Sequence, residues 1–264
     1  MDSSRSDILR QVGVISATVF MLIAAVVGVG LLGGTPVQDL QGGALSADAT
    51  VLAPATSAFQ IWSVIYLGLI AYAIWQALPS QRTSERQRAL GWWVALTAVL
   101  NGAWLLVAQF LTLPLTVLAI VILLIALSLT FVRTLRIPTT GRVDAVLLNG
   151  VTGLHLGWVA LATVANTTAW LSMVLTGQDA AAEIWGVAVL AVVAIIGALL
   201  GWRSGGRIAP ALAMAWGLSW IAVGRLTDAP SSTVVGIAAI VAAAVILVVT
   251  IAQRARKASA TQRA

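Results

Sequence analysis

Four side chains that could bind a ligand interrupt the apolar segment GLHLGWVALATVANTTAWL, residues 153–171. They are His155, Trp158, Asn166 and Trp170. Imidazole and amide groups are costly to bury where no water reaches them, so they either pair with other polar groups or line a site. An indole face packs well on flat apolar molecules, and a buried indole N–H needs an acceptor. The segment therefore raises the question of what these groups contact.

Two earlier segments carry residues of the same types at helical spacing. In AFQIWSVIYLGLIAYAIW, Trp62, Tyr66 and Ala73 share one helical face. In LNGAWLLVAQF, Asn101 and Trp104 lie one turn apart. Asparagine in an apolar helix turns inward to a partner, so we expect both helices to direct these side chains into a bundle.

Two interpretations fit this set of residues. In the first, the polar groups join neighbouring helices inside a packed bundle, and His155 is a satisfied core histidine rather than a proton relay. In the second, the aromatic faces line an apolar pocket with a few polar contacts, which is the usual composition of a ligand site. On the third segment, Trp158, Ala162 and Asn166 share one face, as the second interpretation requires.

Other kinds of chemistry have little support in the sequence. The chain has no cysteine, which excludes disulfides and thiol catalysis, and its one histidine argues against a histidine metal cluster. No acid–base pair and no nucleophile–base pair can be read from it. We therefore predict a protein that is not an enzyme and holds no metal or resident cofactor.

The composition predicts that most of these residues lie in a membrane. The 264-residue chain is 60% hydrophobic and only 9% charged, whereas soluble domains carry about 25% charged residues. Runs of about 20 apolar residues predict an all-α, polytopic transmembrane bundle. The expected spans are residues 12–33, 56–78, 89–110, 112–133, 144–173, 184–202, 208–226 and 232–253.

The basic residues predict the orientation of these spans. Fourteen of the 15 Lys and Arg residues fall in alternate segments between spans, and only Arg225 falls on the other side. The positive-inside rule then predicts that both termini lie in the cytoplasm. We expect the protein to lie in the inner membrane of the cell. The net charge of +6 is explained in this way, so we predict no nucleic-acid partner.

Three further features allow simpler interpretations. The Gly-rich loop 34–55 is either a flexible connector or a lid over a site that opens outward. Residues 28–33 match the G-x-G-x-x-G pattern of nucleotide-binding sites, but no strand precedes them, so close helix packing is the better explanation. Gly153 and Gly157 lie at i, i+4 spacing, for which close helix packing is expected as well.

Arg225 and Asp228 lie three residues apart near the end of the seventh span and are expected to form a local ion pair.

The three aromatic segments resemble the TspO/translocator-protein family, the tryptophan-rich sensory proteins, and FQIWSVIYLG is similar to the long bacterial members. The family patterns W-x-x-x-Y, L-N-x-x-W and W-x-x-x-A-T-x-x-N are matched in order by Trp62 and Tyr66, by Leu100, Asn101 and Trp104, and by Trp158, Ala162, Thr163 and Asn166.

The resemblance implies a fold and a function. Residues 1–175 would form a five-helix ligand-binding core, often dimeric and capped by the first loop, and residues 176–264 a three-helix membrane extension with a basic cytoplasmic tail. The core would bind an apolar, partly planar ligand such as a porphyrin, as sensor or carrier. The implied ligand-binding residues are Trp62, Tyr66, Asn101, Trp104, His155, Trp158, Ala162 and Asn166.

Some family features are absent, and alternatives remain. The loop lacks the family's Trp followed by paired prolines, and Thr167 and Thr168 stand where sterol-associated residues are expected. The alternative functions are a small-solute transporter of another class and a tetrapyrrole-degrading enzyme.

Overall fold

The structure is a computed structural model that describes residues 3–175 and 181–263. Within these ranges the chain is helical and contains no strand. Eight helices are long and apolar enough to cross a membrane. The predicted all-α, polytopic fold with eight spans is therefore confirmed. The chain is a multi-pass membrane protein by this measure.

The spanning helices and the short turns between them follow one another along the chain. Ten α-helices are described: α1 Ser3–Gly28, α2 Ile61–Ala77, α3 Pro79–Arg82, α4 Glu85–Phe110, α5 Leu113–Arg136, α6 Arg142–Asp144, α7 Val151–Val174, α8 Ala182–Arg203, α9 Ile208–Thr227 and α10 Thr233–Arg263. A π-helical turn, Ala145–Gly150, joins α6 to α7, and 3₁₀ turns form at Val37–Asp39, Gln41–Gly43 and Thr56–Gln60.

Local sequence sets several of these boundaries. Ser84 caps α4 by accepting a hydrogen bond from the Gln87 backbone N–H. Pro114 lies in the first turn of α5, where its missing N–H costs nothing. Arg133 and Arg136 lie in the last turn of α5, where a cation is favourable beside the unpaired carbonyls.

The end of the first span differs from the sequence prediction. The helix α1 ends at Gly28 rather than at residue 33. Gly30 and Gly33 have φ values of 88° and 82°, a left-handed conformation that glycine adopts at little cost. Apart from Gly28, which lies against Leu105, the glycines of this motif form the turn that stops the helix. The helix-packing interpretation is wrong for Gly30 and Gly33.

The described chain divides into two compact units. The first consists of Met1–Leu40 and Trp62–Thr152, and the second of Gln41–Ile61 and Gly153–Ala264. The loop between α1 and α2, which we call the outer loop after the side of the membrane predicted for it, thus belongs from Gln41 onward to the same unit as the last three helices. The division into a ligand-binding core, residues 1–175, and an extension, residues 176–264, concerns function and stays a prediction.

In the first unit, α4 is the central helix and packs against α1 and α5. Small residues allow the close contact with α1. A Cβ at Gly102 would lie 2.7 Å from the ring of Phe20, so only glycine leaves room for that ring. Met21 and Ala98 are buried in the same layer. This packing fixes the face of α4 that carries Asn101 and Trp104.

In the second unit, α8, α9 and α10 share one hydrophobic core. Met214 and Leu218 of α9 lie in this core with Val235 and Ile246 of α10. Leu52 of the outer loop is buried in the same core. The loop is therefore a packed part of this unit rather than a loose connector.

The helix α7 packs on α9 through its two glycines. A Cβ at Gly153 would lie 2.9 Å from the Pro210 ring. A Cβ at Gly157 would overlap the Pro210 carbonyl oxygen and lie 2.9 Å from Ala213 Cβ. The expected small-residue packing at this pair is confirmed.

Replacing Gly157 by alanine is expected to lower the free energy of unfolding by about 1–3 kcal/mol, because the added methyl meets a backbone carbonyl that cannot rotate away. Denaturant titration of the purified protein in detergent would measure the change. Gly141→Ala is the control, since a Cβ there meets nothing within 4 Å. Equal stabilities of the two variants would contradict this account of the α7–α9 contact.

Candidate functional site

Three aromatic rings of the first unit stack on one another. Trp62 and Tyr66 lie one turn apart on α2, and their ring centroids are 5.2 Å apart with an interplanar angle of 23°. Trp104 of α4 stacks on Trp62 at 6.2 Å and 28°. Such offset stacking is favourable between aromatic rings. The rings of the two helices thus form one stack, which we call the α2–α4 aromatic group.

Polar atoms border this aromatic group. The Tyr66 hydroxyl donates to Asn101 Oδ1 at 3.3 Å, and Asn101 is fully buried. Trp104 is 3% exposed, and its Nε1–H has no hydrogen-bond partner among the described residues. A buried indole N–H without an acceptor is costly, so a hydrogen bond from this N–H to a new acceptor would be favourable. Trp62 and Tyr66 are only half-buried and keep accessible surface.

The other four predicted site residues lie on α7 in the second unit. His155 and Trp158 are buried, and Trp158 makes an edge-to-face contact with Phe59 at a centroid distance of 5.9 Å. The Asn166 side chain donates back to the Ala162 carbonyl at 2.8 Å. Its Oδ1 is buried without a hydrogen-bond partner in the part of the chain that the structure describes.

The second unit contains aromatic contacts outside the predicted site. Trp216 and Trp220 of α9 meet edge to face at 5.7 Å. The Trp216 Nε1–H donates to the Ala58 carbonyl at 2.9 Å, and the Ala55 N–H donates to the Trp220 carbonyl at 3.1 Å. The i, i+4 spacing of the two tryptophans was a signal for this group. Its backbone partners have no signature in sequence.

A comparison with protein families decides what kind of protein this is. The family profile described as TSPO-like protein matches residues 14–252, which is nearly the whole chain. The chain belongs to the TSPO-like protein family. No curated protein and no solved structure matches it. The matched range covers all eight spans in whole or in part, so the last three helices are included in the family assignment.

In this TSPO-like protein the outer loop is fixed by one buried arginine. Arg225 of α9 is 1% exposed. Its guanidinium donates to the carbonyls of Ala47 and Thr50 in the loop at 2.9 and 3.1 Å. It also donates to the carbonyl of Pro230 at 2.8 Å. If the loop moved away from α9, the buried guanidinium would therefore lose the two carbonyl acceptors that the loop provides.

The expected ion pair between Arg225 and Asp228 is not formed. Arg225 bonds to carbonyls, and the Asp228 carboxylate accepts from the Thr227 hydroxyl at 2.9 Å instead. The neighbouring carboxyl of the loop is Asp48. A hydrogen bond from the Ser46 hydroxyl lowers the pKa of Asp48 below its usual value, and the charge of Arg225 contributes in the same direction.

A second buried arginine organises the basic end of the first unit. Arg86 of α4 is 2% exposed, and its Nε lies 2.8 Å from Asp144 Oδ2. Its terminal nitrogens donate to Asn149 Oδ1 at 2.5 Å and to the carbonyls of Ile137 and Pro138. One guanidinium therefore holds the α5–α6 loop and the start of the fifth span against α4.

The π turn at Ala145–Gly150 explains how Asp144 and Asn149 reach the same guanidinium. In an α-helix, side chains five positions apart diverge by about 140°. The wider π turn, with i→i+5 hydrogen bonds, returns residue i+5 close to the face of residue i. The local departure from α-helix thus brings both oxygen ligands to Arg86.

The described residues offer no evident site for a metal ion. No group of three or more His, Cys, Asp or Glu side chains gathers within residues 3–175 and 181–263. The groups that could contact a small molecule are the α2–α4 aromatic group with its polar border, and the aromatic residues of the second unit.

Proposed function

We propose that this TSPO-like protein binds an apolar, partly planar ligand of the porphyrin type and acts as a sensor or carrier without converting it. The α2–α4 aromatic group is the part of the chain on which the proposal depends. In the proposal the protein lies in the inner membrane with both termini in the cytoplasm, and it functions as a homodimer.

The observation that carries the proposal is the unused N–H of Trp104 beside stacked rings. A flat ligand on Trp62 and Tyr66 would gain ring contacts comparable to those that the rings make with one another. A carboxylate or carbonyl on that ligand would give the Trp104 N–H the acceptor it lacks. Apolar stacking with one or two polar contacts is the usual basis of recognition in such sites.

The Tyr66–Asn101 hydrogen bond supports a positioning role for these two residues. It fixes the Tyr66 ring against Trp62, so the aromatic surface is formed before a ligand arrives. A preformed surface binds more tightly because fewer side chains must be ordered on binding. The residues of α7, His155, Trp158, Ala162 and Asn166, remain proposed ligand contacts on the family resemblance alone.

Titration of protoporphyrin IX into the purified full-length protein tests the proposal. We expect a saturable change in porphyrin absorbance with the wild type. Trp104→Phe keeps an aromatic ring but removes the N–H, and it should weaken the apparent affinity about tenfold. Absorbance of the ligand is the readout because the chain contains eleven tryptophans, which complicate emission.

The control is Trp185→Phe, at an exposed position near the start of α8. We expect it to bind porphyrin as the wild type does. If binding is not saturable, or if Trp104→Phe and Trp185→Phe bind equally well, the α2–α4 aromatic group is not the ligand site.

A further inference from the structure

Two buried polar atoms beside Arg86 have no hydrogen-bond partner among the residues that the structure describes. They are Asp144 Oδ1 and Asn149 Nδ2. The Asp144 residue is 1% exposed and Asn149 is 6% exposed. An unpaired polar atom is costly to bury, and buried polar groups in proteins are therefore paired with protein or with ordered water. The two atoms thus point to a bound molecule.

The Asp144 carboxylate uses only one of its two oxygens. Its Oδ2 accepts from the Thr140 backbone N–H at 2.9 Å and from the Thr140 hydroxyl at 3.3 Å. The same oxygen lies 2.8 Å from Arg86 Nε. Within residues 3–175 and 181–263, no group donates to Oδ1. Each carboxylate oxygen can accept two hydrogen bonds, so Oδ1 needs a donor.

The Asn149 amide needs an acceptor instead. Its Oδ1 accepts from Arg86 Nη2 at 2.5 Å. This contact fixes the orientation of the amide, because turning it over would place its N–H groups against a guanidinium that has only donors. The Nδ2 atom therefore points away from Arg86 with N–H groups that need an acceptor.

One guanidinium anchors both side chains. The Nε and Nη2 atoms of Arg86 lie on the same edge of its planar group, and Asp144 contacts the first while Asn149 contacts the second. The π turn at Ala145–Gly150 turns both side chains toward this edge. Asp144 Oδ1 and Asn149 Nδ2 are each bonded to the same carbon as an anchored oxygen. The two atoms are therefore held close together.

The chemistry of these two atoms selects the ligand. A bound molecule must donate to a carboxylate oxygen and accept from an amide N–H. A cation would suit Asp144 but is repelled by the Asn149 N–H groups and by Arg86. An anion would suit Asn149 but is repelled by the carboxylate. A water molecule meets both needs, because it donates through an O–H and accepts at its oxygen.

We propose that a single buried water molecule is bound between Asp144 Oδ1 and Asn149 Nδ2. It closes a ring of contacts that runs from Arg86 to Asp144, to the water, to Asn149 and back to Arg86. Buried waters of this kind make about three hydrogen bonds and are costly to remove. Because Thr140 contacts Asp144 and is itself exposed, water can enter from the α5–α6 loop. This site is independent of the ligand proposed for the α2–α4 aromatic group.

Nuclear magnetic resonance of the full-length protein, with asparagine labelled at its side-chain nitrogen, tests the inference. The chain contains only three asparagines, Asn101, Asn149 and Asn166, so few signals must be assigned. We expect the Asn149 amide protons to show a cross-peak to water with the sign of a dipolar contact rather than of proton exchange. Asn149→Ser assigns the signal by its loss. If that variant does not fold, Asn101→Ser and Asn166→Ser assign it by elimination.

Asn166 is the internal control. It is 6% exposed, as Asn149 is, but its Nδ2 already donates to the Ala162 carbonyl at 2.8 Å. We expect no such cross-peak at Asn166. Cross-peaks of equal strength at the two amides would mean that buried amides of this protein contact water in general, and would overturn the inference. The absence of a cross-peak at Asn149 would overturn it as well.

A structure of the wild type with ordered waters tests the contact with Asp144. We expect one water oxygen within about 3.2 Å of both Asp144 Oδ1 and Asn149 Nδ2. Asn149→Leu, which has a side chain of similar size and no amide, should lose this water. Density that contacts Asp144 Oδ1 but not Asn149 Nδ2 would indicate a cation and contradict the proposal. The wild-type structure is decisive even if the leucine variant does not fold.

Discussion

Replacing Arg86 by alanine is expected to lower the free energy of unfolding by about 3–5 kcal/mol. The change leaves the buried Asp144 carboxylate without its cation and removes donors from Asn149 Oδ1 and the Pro138 carbonyl. A buried carboxylate that loses its partner is far more costly than a pair that was never formed. Titration with sodium dodecyl sulfate, followed by circular dichroism, would measure the loss.

A double-mutant cycle separates the ion pair from the other contacts of Arg86. Asp144→Ala leaves the guanidinium buried with fewer acceptors, so it should also be strongly destabilising. R86A/D144A should lose less than the sum of the two single variants, by about 2 kcal/mol, because no unpaired charge is left between them. Additive losses would show that the 2.8 Å contact contributes little by itself.

Arg136→Ala is the control for this cycle. Arg136 is exposed in the last turn of α5, so its loss should cost less than about 1 kcal/mol. If Arg86→Ala were no more destabilising than Arg136→Ala, the buried cluster could not be what holds the start of the fifth span.

The number and type of helices could be predicted from the sequence because lipid imposes one simple requirement. A segment of about 20 apolar residues with few charges must satisfy its backbone internally, and a helix does so within a single segment. Six of the eight expected spans therefore agree with the observed spans to within about four residues at both ends. The exceptions are the first span, which begins and ends earlier than expected, and the last. The helix α10 continues past residue 253 because Arg254 to Arg263 remain good helix formers.

Helix ends were harder to predict where backbone conformation decides them. Hydropathy continues through Val29, Leu31 and Leu32, yet α1 ends at Gly28. The left-handed Gly30 and Gly33 stop the helix, and an apolar composition does not reveal this. The π turn at Ala145–Gly150 is similarly local and leaves no pattern in the sequence.

Half of the candidate site could be predicted as a group because spacing along a helix is visible in the sequence. The positions of Trp62 and Tyr66, and of Asn101 and Trp104, fix which faces of α2 and α4 carry them, and the structure brings these four together. Whether they bind a ligand stays a prediction. The sequence could not show that Phe59 meets Trp158, since 99 positions separate them and no spacing rule relates them.

The partners of the buried arginines could not be predicted for a related reason. Charge counting assigned Arg86 to membrane orientation and Arg225 to a local ion pair, because arginine is mostly exposed. Their acceptors in the structure are largely backbone carbonyls, which every residue possesses. No pattern of side chains in the sequence can therefore predict such a partner. In each unit, a single guanidinium with five N–H donors provides hydrogen bonds to the backbone carbonyls of a connecting loop.

Replacing Arg225 by alanine is expected to lower the free energy that holds the outer loop in place by about 2–4 kcal/mol. The carbonyls of Ala47 and Thr50 would lose charged donors, and a space would open beneath the loop. Hydrogen exchange of the loop amides measures this directly. The amides of Ala53 and Ala55 should exchange about 30-fold faster or more, because local opening becomes easier.

Arg225→Lys should lie between the wild type and the alanine variant. A lysine keeps the charge but presents a single ammonium, which cannot reach the Ala47, Thr50 and Pro230 carbonyls in the same fork geometry. We expect partial protection of the loop amides in this variant. Protection as low as in Arg225→Ala would mean that geometry matters more than charge at this position.

Asp228→Asn tests whether Arg225 is held by backbone carbonyls or by an ion pair with Asp228. If Arg225 were held by the Asp228 carboxylate, removing that charge would loosen the loop nearly as much as removing the arginine. Because Asp228 is exposed and accepts from Thr227, we expect its amide variant to leave exchange of the Ala55 amide within about twofold of the wild type. Fast exchange in Asp228→Asn, or slow exchange in Arg225→Ala, would contradict the role of Arg225 as the residue that fixes the outer loop on α9.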